Sequence, residues 1–270
     1  MPVFERNFLE AYNALFAIHT STITYLFEKD TQDELLPCYT NRMRNLFTII
    51  FLGVSICFGL LCVPTALFAD TAPTKEVALT FDDGPYGTPT SEILSTLETD
   101  HVPATFFLIG KNVEEYPSLA KREVADGDLI GNHSYNHSMH LASATDASFQ
   151  SNLDEAEQII ASTTGVHATF FRPPYGNLSL TMREVLAKEG YTIVMWNVDP
   201  RDWDFTNSST TAVINRVLAH VKNDSIILLH DGRDTHVGYP RSNTVNALPT
   251  LINDLRARGY TFVTVDKLLH

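Results

Sequence analysis

The sequence predicts an α/β fold with a parallel sheet, either a (β/α) barrel or a doubly wound sheet. From residue 70 onward, short apolar segments alternate with longer helical ones. The apolar segments are hydrophobic almost throughout, which is typical of parallel strands covered on both faces. Seven such strands with six intervening helices fit either architecture, and we find no internal repeat or linker that would divide residues 70–270.

The predicted strands begin and end where apolar runs meet turn residues. Their bounds are 76–82, 104–110, 128–133, 168–172, 191–198, 225–230 and 261–265. Polar and charged residues follow several of these runs. In both architectures functional groups collect at the carboxyl ends of strands, so these positions are the candidate site.

The predicted helices are recognised by their ends. They cover 91–100, 117–126, 146–164, 180–189, 211–221 and 248–258. Thr88 and Thr90 are the expected N-caps of the first helix, and Ser208 and Ser209 precede the fifth. Glycines follow four of the helices directly, which is the usual C-terminal stop.

Charge and cysteine usage exclude some kinds of function. The formal net charge is −13, so the chain lacks the basic surface that nucleic-acid binding requires. The three cysteines are Cys38, Cys57 and Cys62. Residues 70–270 therefore contain neither a thiol nucleophile nor a thiolate ligand, and any metal site there must use histidine and carboxylate.

The first 69 residues predict export. Residues 46–69 are an uncharged apolar run after Arg42 and Arg44, long enough to span a bilayer and also arranged like a secretory signal that starts at Met43. Membrane association through this segment and its cleavage near Ala69 both remain open. Residues 1–45 form an acidic tail, which is either cytoplasmic or lies upstream of the true start and outside the mature protein. Residues 70–270 are the predicted catalytic domain.

Two adjacent carboxylates and a histidine pair suggest a metal site. Asp82 and Asp83 end the first strand, and His133 and His137 follow the third. On a helical turn, histidines four residues apart share a face and can reach one ion. With Asp83 they make a three-ligand site that leaves a position open for water, and Asp82 would then act as general base. The alternative is that Asp-Asp-Gly is only a polar turn.

The remaining strand ends supply further candidates. Arg172 would orient Asp82, and a backbone N–H near Tyr175 would bind an oxyanion. His230 suits a general acid, and a carboxylate such as Asp199 would favour its protonated form. Trp203 and Leu228 would be apolar walls of the pocket, although such side chains are more often simply core.

Five motifs together resemble a known family. They are TFDDGP (80–85), HSYNH (133–137), RPPYG (172–176), DPRDW (199–203) and LLH (228–230). In this order they resemble the signature motifs of the polysaccharide deacetylases, the NodB homology domain of carbohydrate esterase family four. The resemblance covers about residues 74–268. It implies a distorted (β/α) barrel with about seven parallel strands.

The resemblance also implies residue roles. Asp83, His133 and His137 would hold a divalent metal, usually zinc. Asp82 would be the base oriented by Arg172, and His230 the acid tuned by Asp199. The backbone of Tyr175 would bind the oxyanion, and Trp203 and Leu228 would line the acetyl pocket.

The implied activity is hydrolysis of N-acetyl groups on N-acetylglucosamine units of peptidoglycan or a chitin-type oligosaccharide, outside the cytoplasm. The alternatives are a xylan O-acetyl esterase and a catalytically inactive carbohydrate-binding module. The second is disfavoured because Asp82, Asp83, His133, His137 and His230 are all present. A metalloprotease is disfavoured because H-E-x-x-H is absent from the sequence.

Overall fold

A seven-stranded, all-parallel sheet organises the protein. The computed structural model describes residues 75–204, 206–233 and 241–269, so the tail and the apolar segment at 46–69 lie outside the described residues. The strands are β1 (Lys75–Gly84), β2 (Thr105–Leu108), β3 (Leu129–Asn132), β4 (Phe170–Phe171), β5 (Thr192–Ile193), β6 (Ser225–His230) and β7 (Tyr260–Phe262). Each predicted strand is therefore present, and most are shorter than expected.

The strand order curls the sheet into a distorted barrel. The order is β5-β4-β3-β2-β1-β6, and β7 pairs with the start of β1. Beyond β5, Val198 forms a parallel bridge to Ile227 in β6, so the chain after one edge strand contacts the other edge. This bridge favours the barrel over the open doubly wound sheet.

Eight described helices pack against the sheet. They are α1 (Gly87–Asp100), α2 (Gly110–Glu115), α3 (Pro117–Ala125), α4 (Asp146–Thr164), α5 (Leu180–Lys188), α6 (Thr210–His220), α7 (Ser242–Ala257) and α8 (Val265–Leu268). The largest hydrophobic cluster joins β1, β2 and β6 to residues of α1, α6 and α7. Val77, Leu79 and Phe81 of β1 are fully buried in it. None of the described helices is long and apolar enough to cross a membrane.

Side chains of Thr145, Ser179 and Ser209 cap the starts of α4, α5 and α6, and one predicted helix start was wrong. Ser209 caps α6 by accepting a hydrogen bond from the Ala212 N–H, as predicted. The α1 prediction was wrong: the helix begins at Gly87, after Tyr86, and includes Thr88 and Thr90. The Thr90 hydroxyl instead accepts from the Tyr86 N–H at 2.7 Å and donates to the buried Asp231 carboxylate at 2.5 Å. Its tertiary partner therefore outweighs the local capping preference.

The last long helix also differs from the prediction. The sequence predicted a start at Leu248. In the structure α7 begins at Ser242 and Pro249 lies inside it. Burial of its apolar face, including Leu251 and Leu255, stabilises the helix despite the lost N–H. This earlier start brings the first turn of α7 to the candidate site.

Candidate active site

Two adjacent acids, Asp82 and Asp83, lie at the carboxyl end of β1, where the candidate site is expected. Consecutive side chains of a strand normally face opposite sides of the sheet. Here the pairing of β1 with β2 shifts register between Asp82 and Gly84, and Asp83 has a φ of 72°. This bulge interrupts the alternation, so both carboxylates approach His133. A Cβ on Gly84 would lie 2.1 Å from an Asp231 oxygen, so only glycine fits the tight turn that follows.

Asp83, His133 and His137 form a candidate metal centre. The Asp83 Oδ1 lies 3.6 Å from the His133 Nε2 and 3.3 Å from the His137 Nε2. Ligands that sit about 2.0–2.2 Å from a tetrahedral ion are themselves separated by roughly 3.3–3.5 Å. Oδ1 is buried and has no hydrogen-bond partner among the described residues, as expected of an atom reserved for a cation. The donor set and its spacing therefore fit a divalent metal.

Protonation states also suit ligation. The His133 Nδ1 lies 2.6 Å from the Arg172 carbonyl oxygen, so this nitrogen carries the proton and donates it, and Nε2 keeps its lone pair for a metal. Burial lowers the pKa of His133 to about 4, and the imidazole is neutral at pH 7. Burial raises the pKa of Asp83, but neighbouring histidines and Arg241 outweigh it and hold the pKa at about 2.

The histidine pair is not helical. The sequence reading placed His133 and His137 on one face of a helical turn. In the structure residues 133–138 form an irregular loop after β3, with positive φ at Ser134 and His137. The Ser134 hydroxyl accepts a hydrogen bond from the His137 N–H at 3.1 Å and stabilises this reversal. The loop brings the two ring centroids to 5.0 Å, so the predicted convergence stands and only the backbone differs.

Arg172 contacts Asp82, the partner that the sequence suggested. The Arg172 guanidinium is fully buried and donates from one nitrogen to Asp82 Oδ1 and to the Thr80 hydroxyl, both at 2.7 Å. It also donates to the carbonyl oxygens of Val194 and Met195. The guanidinium also stacks on the Phe107 ring, with its Cζ atom 4.1 Å from the ring centroid. These contacts leave Asp82 Oδ2 facing the metal ligands, 3.8 Å from the His133 Nε2.

His230 stands beside Asp82 on the neighbouring strand. The β1–β6 register pairs Asp82 with His230 and Thr80 with Leu228. The His230 Nδ1 lies 2.8 Å from the Asp202 Oδ1, and the His230 backbone N–H donates to Oδ2 at 2.8 Å. Burial lowers the pKa of His230, but the Asp202 charge outweighs it, so the net pKa is raised.

The carboxylate that contacts His230 belongs to Asp202, so the expectation that Asp199 would play this part was wrong. Asp199 Oδ1 instead accepts from the Arg201 N–H at 2.7 Å and from the Trp203 indole at 3.3 Å, which closes the turn after residue 198. Arg201 has a φ of 57° in this turn. The turn directs the second acid of DPRDW, the fully buried Asp202, towards β6.

The two predicted wall residues and the predicted oxyanion residue differ in burial and contacts. Leu228 is buried and, two residues before His230, lies on the same face of β6. Trp203 is 41% exposed and Tyr175 is 45% exposed. The Tyr175 ring lies 4.4 Å from the His137 ring, and its φ of 58° interrupts the short 3₁₀ turn Pro174–Gly176. Tyr175 thus lies beside a candidate metal ligand, whereas Trp203 contacts the turn at Asp199 and Arg201.

Comparison with known proteins decides the family. The polysaccharide deacetylase family model matches residues 69–194. A peptidoglycan-N-acetylglucosamine deacetylase of Bacillus cereus is 35% identical over 210 residues, which are 76% of this chain and 94% of that protein. The chain belongs to the polysaccharide deacetylase family.

Other relatives are longer than the matched region. The peptidoglycan-N-acetylglucosamine deacetylase PgdA of Listeria monocytogenes is 36% identical over 194 residues, which are 72% of this chain but only 39% of that protein. A bifunctional xylanase/deacetylase of Pseudobutyrivibrio xylanivorans is 40% identical over 200 residues, 74% of this chain and 31% of that protein. The shared part is thus the domain that carries the site.

Solved structures of the polysaccharide deacetylase family have the same fold. The Bc1960 peptidoglycan N-acetylglucosamine deacetylase superposes with a TM-score of 0.67 at 35% identity, over 73% of this chain and 88% of that one. A family 4 carbohydrate esterase of Streptomyces lividans superposes with a TM-score of 0.62 at 36% identity, over 70% and 91%. The predicted distorted barrel is confirmed.

Sequence reasoning missed three residues at this polysaccharide deacetylase site. Arg241 and Thr244, at the start of α7, contact Asp83 and Asp202. Asn112, in the unpredicted helix α2, donates to the Asp83 carbonyl oxygen at 2.7 Å. The run R-S-N-T at 241–244 carried no signal because it fell outside every predicted element. Only knowledge that α7 starts at Ser242 would have pointed to it.

Proposed function

We propose that the protein is a metal-dependent hydrolase that removes N-acetyl groups from N-acetylglucosamine units of a cell-wall glycan, releasing acetate and a free amine. One observation carries this proposal: an acid held by arginine and an imidazole held by an acid flank the Asp83–His133–His137 cluster on paired strands. Amide hydrolysis needs such a base and acid on either side of the scissile bond.

The cluster supplies the place for a cation, which we propose to be zinc. Two imidazoles and one carboxylate are a donor set typical of catalytic zinc, with a further position open to water or substrate. A bound divalent cation polarises the amide carbonyl and lowers the pKa of water at the site. The buried Asp83 Oδ1 and the two Nε2 atoms are the atoms that would hold it.

Asp82 and His230 divide the proton transfers. Asp82 Oδ2, oriented by Arg172, takes a proton from the attacking water as the C–O bond forms. His230, whose protonated form Asp202 favours by raising its pKa, gives its Nε2 proton to the departing nitrogen as the C–N bond breaks. We assign the backbone of Tyr175 to the oxyanion and Leu228 and Trp203 to the acetyl pocket, since Leu228 lies on the same face as His230 and Trp203 follows Asp202 directly.

Peptidoglycan is the proposed substrate, and a chitin-type oligosaccharide belongs to the same class. The Bacillus cereus relative, which this chain covers almost completely, is a peptidoglycan-N-acetylglucosamine deacetylase. Xylan O-acetyl ester hydrolysis is the second candidate, favoured by the similarity to the bifunctional xylanase/deacetylase.

A substrate panel tests the proposal. The full chain, loaded with zinc, is given peptidoglycan, N-acetylated chitooligosaccharide and acetylxylan, and acetate is measured. Acetate from the first two, with new free amines, supports N-deacetylation. Acetate from acetylxylan alone would establish the esterase instead. Failure of all three, with the metal bound, would favour the inactive carbohydrate-binding module.

We further propose that residues 46–69 direct export, so that the catalytic domain acts outside the cytoplasm as a secreted or membrane-anchored enzyme. The apolar run and its flanking arginines support this. Fractionation of cells that express the full chain, with protease added to intact spheroplasts, tests it. Protease-resistant protein confined to the cytoplasm would refute export.

A further inference from the structure

Two side chains from the start of α7 reach opposite halves of the site. Arg241, directly before the helix, donates from one guanidinium nitrogen to Asp83 Oδ2 at 3.2 Å and from Nε to the Gly232 carbonyl oxygen. Thr244, three residues later, donates its hydroxyl proton to Asp202 Oδ2 at 2.7 Å. Both residues are at least 94% buried. The first turn of α7 thus contacts the metal ligand and the partner of the general acid.

The two carboxylate oxygens of Asp83 have different partners. Oδ2 faces the guanidinium, whereas Oδ1 faces the Nε2 atoms of His133 and His137. The Asp83 backbone is also fixed, because Asn112 binds its carbonyl oxygen and Gly232 packs too closely against it to carry a Cβ. With the backbone held and Oδ2 occupied, one oxygen is left for a cation.

We propose that Arg241 is a positioning residue of the metal site, which holds Asp83 so that only Oδ1 binds the cation. The inference concerns the site of the proposed function. Its physical basis is that a second hydrogen-bond partner fixes the orientation of a ligating carboxylate and keeps the coordination number low. A position at the cation then stays open for water and the substrate carbonyl.

Two effects of the guanidinium oppose each other. Its positive charge repels a nearby cation, which would weaken metal binding. Its hydrogen bond orients the carboxylate and satisfies a buried oxygen, which strengthens metal binding. We expect orientation to dominate, because Arg241 contacts the oxygen that faces away from the two imidazoles and Asp83 Oδ1 lies between them and that contact.

Cobalt titration of the metal-free full chain measures this role without any substrate. Arg241→Ala should weaken cobalt affinity about 10- to 100-fold, the usual effect of removing a partner of a metal ligand. The visible absorption of the cobalt bound to this variant should also weaken, because a second oxygen of Asp83 enters the coordination sphere. Arg241→Lys, which keeps the charge but only one donor group, should fall between wild type and alanine.

Two controls bracket the measurement. Thr244→Val removes the other contact of the same helix turn and should leave cobalt affinity within twofold of wild type. Arg256→Ala removes an arginine from the last turn of α7, where it pairs with Asp100. It should change neither the affinity nor the spectrum.

Different results would overturn the role of Arg241 and the proposed function. Unchanged or tighter cobalt binding by folded Arg241→Ala would overturn the proposal, the latter because charge repulsion would then dominate. If the alanine variant does not fold, Arg241→Lys decides: wild-type affinity and absorption would overturn the positioning role, and weaker binding with an altered spectrum would support it. Wild-type protein that binds cobalt but deacetylates no glycan would refute the proposed function and leave the result for Arg241 intact.

Discussion

Asp202 holds His230 at two points, with one carboxylate oxygen 2.8 Å from the imidazole Nδ1 and the other 2.8 Å from the backbone nitrogen of the same residue. Thr244 donates to the second oxygen at 2.7 Å. The imidazole is therefore fixed in orientation, and its Nε2 is the atom left for the substrate. The fully buried carboxylate also favours the protonated ring.

This pairing predicts a shift in the pH dependence of activity. With His230 as the proposed general acid, we expect activity to fall as pH rises through the pKa of His230. Asp202→Asn removes the charge that raises this pKa, and the alkaline limb of kcat/KM should move to lower pH. Asp199→Asn is the matched control and should leave the limb in place. A limb that moves with Asp199 instead would restore the original sequence-based assignment.

Removal of the proposed base should stop turnover without loss of metal. Asp82→Asn keeps the size of the side chain and a carbonyl oxygen for Arg172, but it cannot accept the proton from water. We expect kcat to fall at least about 100-fold, since general bases contribute roughly 10²–10⁴. Bound zinc is measured in the same samples. Normal acetate release from the variant would refute the role of Asp82.

Chelation should silence the enzyme reversibly. Asp83, His133 and His137 are buried, so metal removal leaves Asp83 Oδ1 without a partner among the described residues. Dialysis against a chelator should abolish acetate release, and added zinc or cobalt should restore it. His137→Ala should not be rescued at the same metal concentrations. Full activity at zero bound metal would contradict the assignment of the three ligands.

A buried acid outside the proposed chemistry should make stability depend on pH. Glu123 in α3 is fully buried, and neither carboxylate oxygen has a hydrogen-bond partner among the described residues. Burial raises its pKa well above the ordinary 4.5, and Asp231 and Asp128 add to this. The folded state then binds more protons than the unfolded state above pH 4.5, so its contribution to stability is lost as pH rises.

Glu123→Gln tests this by removing the ionisable group. The variant should be more stable than wild type at pH 8, because glutamine has no ionisable group that the unfolded state would favour in its charged form. The gain should shrink towards pH 4, where Glu123 is protonated in both states. Urea unfolding at both pH values gives the comparison, with the exposed Glu92→Gln as control. A gain that does not depend on pH would contradict the titration of Glu123.

Several features could be predicted because they depend on local pattern. Continuous apolar runs identified all seven parallel strands, and acids and histidines at their ends located the site. The carboxyl ends of parallel strands meet at one edge, so topology predicts that the acids and histidines at these ends lie near one another. The bulge at Asp83 and the irregular loop that carries His137 then bring their side chains into contact. Family motifs then gave these residues their proposed roles.

Other features depended on contacts that local pattern does not encode. Thr90 is inside a helix because Asp231 lies within reach, and α7 includes Pro249 because its apolar face is buried. The two acids of DPRDW are equivalent as sequence, and the conformation of one turn decides that Asp202 reaches His230.

The sequence by itself determined the strands, their order along the chain and the chemical groups at their ends, because burial patterns and residue types are local properties. Only the tertiary structure decided which group touches which atom. Arg241 is 158 positions from Asp83 along the chain, yet it holds one oxygen of that carboxylate. Hydrogen bonds act over about 3 Å and depend on direction, so partners so far apart in sequence are set by how the helices pack on the sheet.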